Sequence, residues 1–119
     1  MIKILLAEDD SSMREYLARA LERVGYSVKA VGCGTEAMPL LESESFDLLL
    51  TDIVMPEMDG IELAQKAAEL VPGIRVMFIT GFAAVALNPD SDAPKDASVL
   101  SKPFHLKDLV NEVERLLAA

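Results

Sequence analysis

Short apolar runs alternate with amphipathic stretches along this chain, and that alternation limits the possible folds more than any other feature. Lys3–Ala7 is too short for a helix and reads as a buried strand. Met13, Leu17, Leu21 and Val24 then recur at helical spacing. Ser12-Met13-Arg14-Glu15 has the form of a capping box, and Gly25 stands where a helix would stop. Further strands are predicted at Ser27–Val31, Phe46–Thr51, Arg75–Thr80 and Val99–Ser101, with Leu48-Leu49-Leu50 buried on both faces. A second helix should start near Thr35, weakened or delayed by Pro39. A third spans Ile61–Leu70 and ends at Pro72-Gly73, and a closing helix spans Leu106–Leu117. That last helix carries Leu106, Leu109, Val110, Val113, Leu116 and Leu117 on one side. Ala83–Leu87 has room for a turn or two of helix, and residues 88–94 have loop chemistry. Five strands alternating with helices imply an α/β fold. It is a five-stranded parallel sheet in a three-layer sandwich, with a short or irregular fourth helix.

Composition narrows the class. At 119 residues the chain suits a single domain, residues 1–119, large enough for a core without staples. A hydrophobic share of 51% excludes a mainly disordered chain. Twenty acidic residues against 11 basic ones give a net charge of −9, which argues against nucleic acid, since phosphate backbones are held by Lys and Arg. One cysteine, Cys33, excludes a disulfide framework and fits a reducing, cytoplasmic setting. No apolar run approaches the roughly 18 residues of a membrane span, so no membrane association is expected. His105 is the only histidine, which leaves no clustered ligands for zinc.

Ligands of parallel sheets collect at the carboxyl ends of the strands. Here those ends carry Glu8-Asp9-Asp10, Asp52, Thr80 and Lys102-Pro103. Carboxylates gathered in one cup repel one another unless a cation neutralises them, and Mg²⁺ is the hard ion that oxygen ligands suit. Lys102 and Thr80 add a charge and a donor for an anion that approaches Asp52. The set suits phosphoryl transfer, in which positioning and charge neutralisation do most of the catalysis.

Glu8-Asp9, Thr51-Asp52-Ile53-Val54-Met55-Pro56 with Met58-Asp59-Gly60, Thr80-Gly81 and Lys102-Pro103-Phe104 together resemble the receiver domain of two-component response regulators. The resemblance covers the whole chain and implies the flavodoxin-like receiver fold. It also implies that Asp52 accepts a phosphoryl group from a phosphohistidine on a histidine kinase or histidine phosphotransfer protein. Asp9 would bind Mg²⁺ directly and Glu8 through water, with Asp52 and the Val54 backbone carbonyl as further ligands. Thr80 and Lys102 would contact the phosphoryl oxygens, Lys102-Pro103 would be a cis peptide, and Gly60 would permit the turn after the acceptor loop. Asp10, one residue beyond the acidic pair, is expected to cap the first helix. The protein would promote its own phosphoryl transfer and slow dephosphorylation without being a conventional enzyme.

Two positions depart from the family pattern. Val99 stands where many receivers place a rotating Tyr or Phe, so the switch is expected to run through residues 82–94 instead. His105 replaces a helix-capping Asp, at a small cost in stability. Gly81, Phe82, Val85, Val99, Pro103 and Phe104 form the candidate switch and partner surface. Cys33 reads as a loop residue, and Met55, Met58 and Met77 as packing.

Only one helix follows Phe104, so no output domain is expected, and output would be a binding surface or a passed-on phosphoryl group. Residues 79–95 resemble CpdR-type receivers of alphaproteobacteria, a group that adapts the ClpXP protease. The resemblance implies a monomeric adaptor that engages the ClpX unfoldase when unphosphorylated. Leu117-Ala118-Ala119 resembles a C-terminal tag read by the same protease, although a frayed helix end explains it as simply. The competing reading is a phosphate sink or relay shuttle in which Asp52 chemistry is the whole function. A flavin protein is disfavoured because acidic Glu8-Asp9-Asp10 would repel a phosphate arriving without metal. A capped phosphatase is disfavoured because no segment is long enough for the cap.

Overall fold

The apolar runs do become strands, and all of them run parallel. The computed structural model describes residues 1–81, 92–94 and 96–118. In chain order the elements are β1 (Lys3–Ala7), α1 (Ser11–Val24), β2 (Ser27–Val31), α2 (Gly34–Ser43), β3 (Leu48–Thr51), α3 (Gly60–Leu70), β4 (Arg75–Thr80), β5 (Ser98–Ser101) and α4 (Leu106–Ala118). The sheet order is β2-β1-β3-β4-β5, so the direction of winding reverses beside β1. The short helix expected at 83–87 lies outside the described residues.

Successive strand side chains point to opposite faces, which divides the interior into two cores. Ile4, Leu6, Leu48, Leu50, Met77 and Ile79 face one way, onto Leu17 and Leu21 of α1 and Leu109, Val113 and Leu116 of α4. Leu5, Ala7, Leu49, Val76 and Phe78 face the other way, onto Ala37 and Leu41 of α2 and Leu63, Ala64 and Ala67 of α3. Leu48, Leu49 and Leu50 are all fully buried, as expected for a central strand covered on both faces. A continuous apolar run and strict alternation are thus the same pattern, with both faces filled.

The helix ends have local causes and correct some expectations. Asp10 caps α1 as expected: its carboxylate accepts the Met13 N–H at 3.1 Å, and Ser12 of the apparent capping box falls inside the first turn. Gly25 ends α1 in the left-handed region at φ 112°, where a Cβ would be strained. Pro39 neither delays nor breaks α2, which starts at Gly34 and runs through it to Ser43. Buried Ala37 and Leu41 hold that helix on the sheet, and their packing outweighs the single ladder bond that proline removes. β3 begins at Leu48 instead of Phe46, and Phe46 is nonetheless buried in the first turn of chain before it.

Candidate functional site

Strand register brings the acidic residues together. Ala7 pairs with Thr51 and Thr80 with Ser101, so Glu8, Asp52 and Lys102 each stand one residue beyond a paired position. The ladder continues through them: the Glu8, Asp52 and Lys102 N–H groups donate to the carbonyls of Val31, Ala7 and Thr80 at 3.1, 3.2 and 2.8 Å. The Lys102–Pro103 peptide is cis. From there Lys102 reaches across the sheet, and its Nζ donates to Asp52 Oδ2 at 2.8 Å and to Glu8 Oε1 at 3.2 Å.

The second carboxylate oxygens of Asp52 and Glu8 are also occupied. Asp52 Oδ1 accepts the Val54 N–H at 3.3 Å, and Glu8 Oε2 accepts the Asp10 N–H at 3.2 Å. Oxygens of Glu8, Asp9 and Asp52 all lie within 4.8 Å of one another. Glu8 is 2% exposed, the Asp52 side chain is 12% exposed, and Asp9 is open to solvent. Burial pushes the Glu8 carboxyl above its usual range, and neighbouring Asp52 adds to the rise, against the opposing Asp10 N–H and Lys102. Burial alone would lower the Lys102 ammonium, but the bond it donates to Asp52 and the charge of Glu8 lift it above its usual value. Three carboxylates share the cup with one ammonium, which bonds two of them, and the excess negative charge is held on oxygen donors. That donor set fits a hard divalent cation, with Glu8, Asp9 and Asp52 able to hold it.

The other expected residues lie around this cup. Thr80 is fully buried at the end of β4 and Gly81 beside it is exposed. Val99 is half-buried against the α2/α3 core, and Phe104 against the α1/α4 core, while Pro103 is exposed. Val54 is 54% exposed. Leu117 is half-buried against the α1/α4 core and Ala118 is exposed. Phe82, Val85 and Ala119 lie outside the described residues. Met55 and Met77 are buried and Met58 packs on the α2/α3 core, as read from the sequence. Cys33 is half-buried with its Sγ 3.1 Å from Thr35 Oγ1.

Gly60 needs a different explanation from the one its sequence context suggests. Its φ is not positive; instead a Cβ there would lie 1.9 Å from the Asp52 carbonyl oxygen. Only glycine lets α3 start against the backbone of Asp52, with its N–H on the Ile53 carbonyl at 2.7 Å. Two supporting residues escaped the sequence reading. Arg14 Nη1 donates to the Glu8 carbonyl at 2.8 Å, and Thr51 Oγ1 to the Asp52 carbonyl at 2.8 Å. Arg14 could have been found, because long side chains near a helix start lean back over its N-terminus.

Comparison with known proteins agrees with this geometry. The model of the response regulator receiver domain matches residues 4–114. The chain belongs to that family and is a receiver domain of a two-component system. Within the family it is CpdR-like: it is 66% identical over 119 residues to the Response regulator receiver protein CpdR of Brucella abortus, covering 100% of this chain and 99% of the relative. A receiver protein from Sinorhizobium medicae superposes with a TM-score of 0.90 at 33% identity, over 99% of this chain and 95% of that one. The response regulator TrrA from Thermotoga maritima, solved in complex with Mg²⁺-BeF, gives 0.86 at 28% identity, over 98% and 100%. No described helix is long and apolar enough to cross a membrane.

Proposed function

We propose that Asp52 is the phosphoryl acceptor and that its phosphorylation controls binding to a protein partner. One juxtaposition carries the reading: a carboxylate at a strand end, clustered with Glu8 and Asp9 and bonded to Lys102. The Asp52 carboxylate would attack the phosphorus of a phosphohistidine on a histidine kinase or phosphotransfer protein. An O–P bond forms as the N–P bond breaks, and the electron pair leaves with the imidazole, which takes up a proton. Glu8, Asp9 and Asp52, with the Val54 carbonyl, would hold Mg²⁺, which supplies charge neutralisation for the crowded oxygens. Lys102 would exchange its carboxylate partners for a phosphoryl oxygen, and the Thr80 hydroxyl would donate to another. Loss of Lys102 from Glu8 and Asp52 would then move the loop that carries Pro103 and Phe104.

The finer reading is an adaptor of the ClpXP protease, active when Asp52 is unphosphorylated. Its support is the resemblance to CpdR-type receivers and the identity to CpdR along the whole chain. The test has two parts. A labelled phosphohistidine donor should transfer label to the wild type and none to Asp52→Ala; label retained by the variant would remove the acceptor assignment. Affinity capture from cytoplasmic lysate should recover ClpX with the unmodified bait and lose it when beryllofluoride and Mg²⁺ occupy the site. Recovery of a phosphotransfer protein alone, in both states, would instead favour a phosphate sink or shuttle.

A further inference from the structure

The loop after Asp52 is held at both ends. At its base, Gly60 is pressed on the Asp52 carbonyl and donates to Ile53. At its tip, Glu57 has φ 68°, and no other non-glycine residue among those described has a positive φ. Side chains avoid this left-handed region, so such a residue persists only where its surroundings hold it. Those surroundings are the first turn of α2. Thr35 Oγ1 donates to Glu57 Oε2 at 2.9 Å. Beside it, a Cβ on Gly34 would come within 3.0 Å of Met58 Cβ, Cγ and Sδ, so the missing side chain is what lets Met58 lie on the helix backbone. Two adjacent loop residues therefore rest on two adjacent helix residues, and the Met58 N–H closes the tip on the Pro56 carbonyl at 2.8 Å.

Val54 sits between base and tip, with its N–H on Asp52 Oδ1. We propose that Thr35, through Glu57, positions the Val54 carbonyl and so sets the affinity of the acidic cup for Mg²⁺. This rests on the ligand set proposed above. Thr35 touches neither metal nor phosphoryl group; it acts by fixing a loop whose free motion would otherwise have to be lost when the ion binds. The spacing hid this contact, because Thr35 and Glu57 lie 22 residues apart and meet only once the sheet has formed.

The test compares wild type, Thr35→Val, Thr35→Ser and Glu57→Gln in the full chain. Three quantities are read: the Mg²⁺ dissociation constant by calorimetry, metal-free amide exchange at Val54, and phosphoryl uptake from phosphoramidate at saturating Mg²⁺. Thr35→Val keeps the shape and removes the hydroxyl. It should weaken Mg²⁺ binding about three- to tenfold, the worth of one hydrogen bond, and speed Val54 exchange. Thr35→Ser and Glu57→Gln keep a donor and an acceptor and should stay within about twofold of wild type. Uptake at saturating Mg²⁺ should be unchanged in the three variants. Wild-type affinity in Thr35→Val overturns the inference, as does equal loss in Thr35→Ser. Wild type that binds Mg²⁺ but takes no phosphoryl group on Asp52 removes the acceptor reading, and the inference is still decided by the titrations. Wild type that binds no Mg²⁺ removes both.

Discussion

Lys102 serves two carboxylates with one ammonium, and the balance it strikes decides how the metal-free site responds to pH. Glu8 is incompletely compensated, since its burial raises its carboxyl above the ordinary 4.5 even with Lys102 in contact. A carboxyl whose folded value is raised favours the native state most fully below its ordinary pKa, and that advantage is lost as pH rises through the raised value. In metal-free protein, Glu8→Gln should therefore be more stable than wild type at pH 7, and the two should converge below about pH 4.5. Denaturant melts at several pH values would check this, and a constant difference across the range would contradict it. Lys102 carries the opposite charge and a raised value, so its contribution holds below its ordinary 10.5 and is lost only as pH rises beyond that. Lys102 stays charged across the window in which Glu8 titrates, so it adds no pH slope of its own there.

At the scale of elements, the starts of α3 and α4 make contrasting demands. Gly60→Ala would drive a methyl group into the Asp52 backbone at 1.9 Å, which neither chain segment can relieve by a rotamer change. A loss of about 3 kcal/mol or more is expected in chemical denaturation, together with weaker Mg²⁺ binding. The start of α4 invites improvement: His105 is exposed and its carbonyl accepts the N–H groups of Asp108 and Leu109 at 3.0 and 3.3 Å. An N-cap carboxylate there should stabilise, so His105→Asp is expected to add about 0.5–1 kcal/mol in the same measurement. The strands were largely legible in the sequence, because apolar runs bounded by turn residues gave β1, β2 and β4 their ends. The acidic cup was legible too, since strand ends in a parallel sheet must meet. What escaped depends on contacts between distant segments. Nothing in Gly60's neighbours distinguishes a glycine needed for a turn from one needed for close approach. Thr35 on Glu57 requires the three-dimensional arrangement, as does the packing that carries α2 through Pro39.

For the molecule as a whole, folding assembles the cup from three strand ends and so links its charge to global stability. A cation that binds only the native state stabilises it by mass action, about 2.7 kcal/mol at a hundred times its dissociation constant. Mg²⁺ should accordingly raise the melting temperature in a concentration-dependent way, and Asp9→Ala should abolish the rise while folding normally without metal. A rise that survives in Asp9→Ala would place the ion elsewhere.

The far end of the sheet has a practical use. The turn into β4 closes through the Ile74 N–H on the Val71 carbonyl at 3.1 Å, with exposed Pro72 and with Gly73 at φ 88°. It feeds the amino end of a strand whose carboxyl end faces the acidic cup. Lengthening such a loop adds little closure entropy. A fluorescent or affinity module spliced between Pro72 and Gly73 would thus sit a full strand length from Asp52. Phosphorylation could then be followed in living cells on a chain whose acidic cup is untouched.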